Sequence, residues 1–179
     1  MRRQTLVVVG NGMVGHRLLE ALVARGATAS WDVVTLCEEP RPAYDRVGLS
    51  RFFAGATAED LSLVEPGFFD QPGVRLALGD AVVEIDRAAR AVRSASGLVV
   101  GYDKLVLATG SAPFVPPIPG IGAKDVFVYR TLEDLRAIRE RAGRSSVGAV
   151  IGGGLLGLEA AGALRAFGLP PTWSSSPRG

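Results

Sequence analysis

The chain contains little cysteine, histidine and lysine: one residue of 179 is cysteine, one is histidine, and only two of the 20 basic residues, Lys104 and Lys124, are lysine. The single Cys37 excludes a disulfide framework and a cysteine-ligated metal or iron–sulfur site built from this chain alone. His16 has no companion at metal-ligand spacing. The sequence therefore predicts no metal site, and it predicts that Cys37 is a buried, inert thiol.

Runs of one charge and long apolar runs are also missing. The arginines are scattered and the net charge is +2, so no basic face for nucleic acid is predicted. The apolar run at residues 6–9 is too short for a secretory signal. A glycine triplet and Glu159 interrupt the apolar stretch at residues 147–164, which indicates strand, turn and buried helix instead of a membrane span. We expect a cytoplasmic protein without nucleic-acid or membrane partners.

Glycine, in contrast, is abundant and occurs twice in the pattern Gly-x-Gly-x-x-Gly, at residues 10–15 and 152–157. Each copy follows a short apolar run, residues 5–9 and 147–151, that is typical of a strand buried on both faces. One such pattern alone also arises in ordinary loops. Two copies, each between an apolar run and a helical pattern, favour a protein that binds two dinucleotides.

The first copy is part of a complete strand–helix–strand pattern. Apolar residues recur at helical spacing after the glycines, and residues 32–37 form a second strand ending at Glu38 and Glu39. Gly10 permits the tight turn, Gly12 lets the backbone approach a pyrophosphate, and Gly15 lets the helix pack on the strand. Glu38 is placed to accept a hydrogen bond from a ribose hydroxyl, with Glu39 as the alternative. A parallel domain that uses glycine only for close packing is the competing interpretation.

The rest of the chain predicts an α/β protein. Residues 40–80 are irregular, apart from a capping-box pattern at residues 57–60 that predicts a short helix. An antiparallel meander, a strand, a proline-rich connector, a helix capped by Thr131 and a second strand–glycine-turn–helix unit follow. Their predicted ranges are 81–86, 91–94 and 98–100 for the meander, 104–108 for the strand, 113–119 for the connector, and 147–151 and 157–167 for the last strand and helix.

Several strings together resemble the two-dinucleotide-binding flavoprotein reductases: the two glycine patterns and YDKLVLATG at residues 102–110. Finer matches, among them VVVGNGMVGHR, CEEPRPAYDRVGLS and GSAPFVPPIPG, resemble the N-terminus of the NAD(P)H-dependent nitrite reductase large subunit. The resemblance covers residues 5 to about 169. It implies a Rossmann-like FAD-binding domain with an antiparallel β-meander at residues 1–120, followed by an incomplete second Rossmann-like NAD(P)-binding unit at residues 121–169.

The resemblance also implies cofactors and their positions. Hydride passes from NAD(P)H to FAD, and neither cofactor needs a catalytic acid or base from the protein. Siroheme and an iron–sulfur cluster belong to later domains of the family, where nitrite is reduced, and a nitrite reductase small subunit is a possible partner. FAD is implied at Gly10, Asn11, Gly12, Met13, Val14, Gly15, Glu38, Glu39, Arg46, Val82, Thr109 and Gly110. NAD(P) is implied at Gly152, Gly154, Leu155, Leu156, Gly157 and Glu159.

The last ten residues, 170–179, depart from the family pattern. They are rich in serine and proline, so we expect them to be disordered, and a one-base frameshift is one explanation of their origin. The chain is then the front part of a longer flavoprotein and is expected to lack nitrite reductase turnover by itself. Two alternatives stay open: part of a rubredoxin or ferredoxin reductase, and a non-catalytic nucleotide-binding remnant.

Overall fold

The computed structural model describes residues 3–174, which form two compact units: residues 3–45 with 62–111, and residues 46–61 with 112–174. Short 3-10 turns occupy Ala27–Ala29, Leu49–Phe52 and Phe68–Asp70. The strands and helices, in chain order, are β1 (Gln4–Val9), α1 (Met13–Ala24), β2 (Trp31–Leu36), β3 (Val74–Ala77), β4 (Val82–Asp86), β5 (Ala91–Ser94), β6 (Val99–Gly101), β7 (Lys104–Leu107), α2 (Leu132–Ala142), β8 (Gly148–Ile151), α3 (Leu155–Ala166) and β9 (Pro171–Ser174).

The first unit is built on a parallel sheet with strand order β3-β2-β1-β7. The chain adds strands on one side of β1 and then crosses to the other side for β7. This reversal beside β1 is a topological switch point, where open parallel sheets bind their ligands at the carboxyl ends of the strands. The predicted Rossmann-like α/β class is confirmed.

Both faces of β1 are buried, and alternate residues face different layers. Leu6 and Val8 pack with Leu19 of α1 and with Phe68 and Phe69. The residues of the other face pack with the meander: Val7, Val9, Val34, Leu36, Val92, Val82 and Val100. A strand buried on two faces explains the continuous apolar run from Leu6 to Val9.

The antiparallel meander is the sheet β4-β5-β6, and it confirms the three strands predicted for this region. Asp80 accepts hydrogen bonds from the Ser96 backbone N–H at 2.9 Å and from its hydroxyl at 2.7 Å. These hydrogen bonds lower the pKa of Asp80 and stabilise the tight turn between β5 and β6.

The second unit contains α2, α3 and the parallel pair β8-β9. Leu132 and Leu135 of α2 are fully buried. Phe53 packs edge-on against Phe167 with 5.2 Å between ring centroids, and the Arg139 guanidinium lies 4.5 Å from the Phe52 ring centre. Phe52 is buried, and Phe53 and Phe167 are partly buried, so these rings contribute to this unit's interior.

Three predictions of secondary structure need correction. Residues 171–174, expected to be disordered, form β9 and pair with β8, because an apolar parallel strand offers them backbone partners. Residues 175–179 lie outside the described residues. Residues 57–60 make the capping-box hydrogen bonds but only a turn, since Ser62 is extended and bridges Tyr44. The strand β3 was not predicted, because four residues with a central Arg75 give too short an apolar pattern.

The capping box of α2 allows a matched test. Thr131 Oγ1 accepts from the Asp134 N–H, and Asp134 accepts from the Thr131 N–H. We expect Thr131→Ala to lower the unfolding free energy by about 1 kcal/mol. Thr57→Ala removes the same local bonds from an exposed turn, so its effect should stay within about 0.5 kcal/mol. Urea denaturation followed by circular dichroism measures both. Equal losses in the two variants would contradict the role of the box in starting α2.

The described residues include neither a helix able to span a membrane nor a group of side chains able to hold a metal ion. None of the helices in this part of the chain has the length and apolar character needed to cross a membrane. Residues 3–174 contain no group of three or more histidine, cysteine, aspartate or glutamate side chains arranged for a metal ion. Cys37 is buried, and its Sγ lies 4.0 Å from the Arg41 carbonyl oxygen.

Candidate dinucleotide-binding loops

The first glycine loop lies at the carboxyl end of β1, beside the carboxyl ends of β2 and β7. The Gly10 N–H donates to the Leu36 carbonyl at 2.8 Å, and the Ala108 N–H donates to the Val9 carbonyl at 2.8 Å. Thr109 and Gly110 lie just beyond the end of β7, after Ala108. The structure therefore brings the glycine loop and the Thr109-Gly110 pair together at the switch point.

The three glycines of this loop differ in the space that a Cβ atom would have at each position. Gly10 has φ +101°, and a Cβ there would collide with the carbonyl group of Ala108. A Cβ on Gly15 would collide with the Gly10 carbonyl oxygen. A Cβ on Gly12 would meet nothing within 4 Å. Gly10 and Gly15 are thus required by packing, whereas Gly12 faces open space that a ligand can occupy.

The second glycine loop repeats this geometry inside the second unit. Gly152 has φ +136°, and a Cβ on Gly157 would collide with the Gly152 carbonyl oxygen, while a Cβ on Gly154 would meet nothing within 4 Å. The two middle glycines also have almost the same backbone angles, φ −80° and ψ −169° for Gly12, φ −84° and ψ −178° for Gly154. The two loops are therefore two copies of one structural motif.

The helices after the two loops differ from α2 at their N-termini. Among the described residues, no side chain caps α1 or α3, and neither helix has an acidic residue in its first turn. Helix α2, in contrast, has a full capping box and two acidic residues there. The first N–H groups of a helix need partners, and the helix dipole favours an anion beside them. Helices α1 and α3 leave these positions for a phosphate.

The structure distinguishes the two candidate ribose acids. Glu38 lies two residues beyond β2 and is exposed. Glu39 is partly buried, and its Oε2 accepts a hydrogen bond from the Tyr44 hydroxyl at 2.6 Å. Tyr44 itself is buried. Glu39 thus has a structural partner, and Glu38 is the carboxylate that a ligand can reach.

Other predicted FAD positions lie in both units. Met13 and Val14 are exposed in the first turn of α1, next to the loop. Val82 begins β4 beside a bulge and packs on the sheet of the first unit. Arg46 belongs to the second unit. Its role at the FAD site stays a prediction.

The remaining predicted NAD(P) positions are on α3. Leu155 and Leu156, in its first turn, are 82% and 61% exposed. Glu159 follows one turn later and is partly buried. Burial, together with the negative charge of Glu159, raises the pKa of Tyr129 to about 12. The charge of Glu159 therefore affects the Tyr129 hydroxyl within this unit. Its role at the NAD(P) site stays a prediction.

Sequence reasoning placed Asn11 at the FAD site, but it missed the hydrogen bond of Asn11 to Ala43 and gave no role to Tyr44. Asn11 is buried, and its Oδ1 accepts a hydrogen bond from the Ala43 N–H at 2.9 Å. Nothing in the local pattern announces a bond between residues 32 positions apart. The only available signal was an amide side chain inside a glycine loop.

His16, on α1, is buried. Its ring lies 4.9 Å from the Phe68 ring in an edge-on arrangement, and its Nε2 is 3.8 Å from Glu20 Oε1. Burial lowers the pKa of His16 below its ordinary value of 6.5, and the charge of Glu20 opposes this shift only in part.

This lowered pKa predicts acid sensitivity. The unfolded chain binds the proton more readily than the folded chain, so the contribution of neutral His16 is complete above pH 6.5 and is lost as the pH falls through the folded pKa. We expect the unfolding free energy of the wild type to decrease between about pH 7 and pH 5 more steeply than that of His16→Leu. Denaturation curves at several pH values measure both slopes. Parallel slopes would show that His16 does not titrate on unfolding.

Two copies of one loop motif, each between a parallel strand and an uncapped helix, define a dinucleotide-binding protein of the Rossmann type. The family model for pyridine nucleotide-disulphide oxidoreductase matches residues 4–172, and the chain belongs to this family.

Individual proteins of known sequence or structure are also similar to this chain. The chain is 52% identical to the nitrite reductase (NADH) large subunit of Escherichia coli and 56% identical to the nitrite reductase [NAD(P)H] large subunit of Klebsiella oxytoca, over 94% of its own length. It spans only 20% and 18% of those proteins. Among solved structures, a ferredoxin reductase from Rhodopseudomonas palustris superimposes with a TM-score of 0.84 at 30% identity, over 96% of this chain and 42% of that one.

Proposed function

We propose that this chain forms the front of an electron-input module, in which the first unit binds the adenosine diphosphate half of FAD and the second unit begins an NAD(P)H site. The observation that carries the proposal is the repeated loop, with its open middle glycine and uncapped helix, in each unit. A pyrophosphate needs both features, because it must approach the backbone closely and accept several N–H groups.

The residues of the first unit fit an adenosine diphosphate group. Gly12 leaves space where the pyrophosphate passes, and the first turn of α1 offers N–H donors. Glu38 is exposed and able to accept hydrogen bonds from ribose hydroxyls. Met13 and Val14 present apolar surface that a bound nucleotide covers. In the second unit, Gly154 leaves the same space and the first turn of α3 offers N–H donors to NAD(P), while Gly157 lets α3 pack against the loop.

The bound cofactors supply the hydride chemistry, with two electrons and a proton moving from the reduced nicotinamide to the flavin. The protein's part is to bind, orient and shield. Hydride transfer between the two cofactors requires no side chain as a general acid or base.

The parent activity that we propose is reduction of nitrite to ammonia, because the relatives at 52% and 56% identity are nitrite reductase large subunits. Siroheme and an iron–sulfur cluster would belong to the remaining four-fifths of such a protein, and a nitrite reductase small subunit would be its partner. Since this chain has a single cysteine, it does not ligate an iron–sulfur cluster by itself. We expect no nitrite turnover from the chain alone.

A second candidate is electron input to a separate ferredoxin or rubredoxin. The ferredoxin reductase structure supports it, at a TM-score of 0.84. Its 30% identity is far below that of the nitrite reductases, so it ranks second.

A titration of the chain with FAD tests the proposal. We expect the flavin fluorescence to change with saturation at one equivalent, and ADP to compete with FAD for this site. Riboflavin, which lacks the adenosine diphosphate half, should compete much less. A titration without saturation, or equal competition by riboflavin and ADP, would contradict the proposed function of the first unit.

A further inference from the structure

The segment that carries Glu38 is held at both ends by consecutive residues of the first glycine loop. The Gly10 N–H donates to the Leu36 carbonyl at 2.8 Å. The Asn11 Oδ1 accepts from the Ala43 N–H at 2.9 Å. Residues 37–42 lie between these two hydrogen bonds. These two adjacent residues of the phosphate-binding loop hold the ends of the segment, and backbone hydrogen bonds of Cys37 and Glu39 to residues 77–80 hold its first part as well.

The bond from Ala43 leaves half of the Asn11 amide unsatisfied. Asn11 is only 3% exposed, and its Nδ2 has no hydrogen-bond partner among the residues that the structure describes. A buried amide nitrogen without a partner is destabilising, so such a group calls for an explanation. Departures from local rules of this kind concentrate at functional sites.

The second glycine loop shows that the turn itself does not need this side chain. Gly153 holds the position that corresponds to Asn11, and glycine has no side chain to form such a bond. Both loops nevertheless have the same backbone geometry at their middle glycines. The Asn11 side chain thus serves the contact with Ala43 and not the shape of the loop.

Further bonds within the segment determine which carboxylate faces the solvent. The Tyr44 hydroxyl donates to Glu39 Oε2 at 2.6 Å, and the Gly79 N–H donates to the Glu39 carbonyl oxygen at 2.9 Å. Glu39 is held on both its side chain and its backbone, whereas Glu38 is exposed. The bond at Ala43 adds a restraint at the far end of the segment that carries Glu38.

We infer that Asn11 is a positioning residue, which couples the phosphate-binding loop to Glu38 and sets the selectivity of the first unit for the ribose diol of its nucleotide. The inference rests on the proposed function. A carboxylate that is already fixed relative to the pyrophosphate binds the ribose hydroxyls without an ordering loss. Removing the Asn11 side chain frees the Ala43 end of the segment and reduces this advantage.

The test compares the binding of ADP with that of 2′,3′-dideoxy-ADP, which lacks the diol. We expect the wild type to bind ADP roughly tenfold more tightly than dideoxy-ADP, because dideoxy-ADP has no ribose hydroxyls to donate hydrogen bonds to the carboxylate of Glu38. Asn11→Ala, and Asn11→Leu with a similar side-chain volume, should lower this affinity ratio clearly below tenfold. Asp103→Ala is the matched control, since Asp103 Oδ2 also accepts a backbone N–H, that of Thr5, at the opposite end of β1.

The outcomes separate the inference from the proposed function. A wild type that binds neither nucleotide contradicts the proposed function. Folded Asn11 variants that bind both nucleotides more weakly but keep the tenfold ratio overturn the positioning role.

Hydrogen exchange of the Ala43 amide in the wild type gives an independent reading. ADP should slow it and dideoxy-ADP should not, whereas equal slowing by the two nucleotides would overturn the coupling even if the variants do not fold.

Discussion

Gly10→Ala is expected to lower the unfolding free energy of the chain by roughly 2–4 kcal/mol, because strain and overpacking act together. Gly10 has φ +101°, which an alanine adopts only with strain. Its Cβ would also lie 2.7 Å from the Ala108 carbonyl carbon and 3.1 Å from the Thr109 nitrogen. Both neighbours are backbone atoms at the end of β7, so neither can rotate away. Relief requires that β1 and β7 separate at the switch point.

Gly12→Ala is the control for this prediction, since it adds the same methyl group two residues later. Its Cβ would meet nothing within 4 Å, so stability should change by less than about 1 kcal/mol. Affinity for ADP should nevertheless fall about a hundredfold, which is roughly 2.8 kcal/mol, because the methyl group occupies the path of the pyrophosphate. Urea denaturation and an ADP titration measure the two effects. A Gly12 variant as unstable as the Gly10 variant would contradict the division of roles between these glycines.

Glu38→Gln is expected to weaken ADP binding roughly tenfold or more, because a hydrogen bond to a carboxylate contributes about 1.5–3 kcal/mol. Glutamine has the same shape but no charge, so the variant tests the carboxylate and leaves packing unchanged. Glu38 is exposed, and we therefore expect its replacement to leave the unfolding free energy almost unaltered.

Glu39→Gln is the matched variant one residue later. The glutamine oxygen can still accept the hydrogen bond from Tyr44, so both the fold and ADP affinity should stay near those of the wild type. Calorimetric titration with ADP at low salt measures the two variants side by side. If Glu39→Gln weakens binding and Glu38→Gln does not, the assignment of the ribose acid is reversed.

The elements with strong periodic patterns were predictable from the sequence. The apolar run Leu6 to Val9, the helical spacing after Gly12 and the Thr131 capping box each depend on neighbours in the chain, and each element forms where predicted. The strand β9 was not predictable from its composition, because its backbone hydrogen bonds to β8 come from tertiary pairing. Tertiary pairing also limits residues 57–60 to one turn, although their local hydrogen bonds form as expected.

Some features of the candidate site could likewise be predicted from the sequence, and others depend on the fold. The order of glycines and the acid after β2 were readable from spacing, because the motif is local. The sequence also favoured Glu38 over Glu39, but the hydrogen bond from the Tyr44 hydroxyl to Glu39 could be seen only in the fold. The bond between Asn11 and Ala43 likewise joins two segments that only the fold brings together.

A crystal structure of the chain grown with FAD tests the central claim most directly. The account predicts the FAD pyrophosphate against the N–H groups at the start of α1, beside Gly12, with the adenosine ribose hydroxyls within hydrogen-bond distance of Glu38. FAD bound elsewhere on the chain, or with its pyrophosphate remote from the first glycine loop, would contradict it.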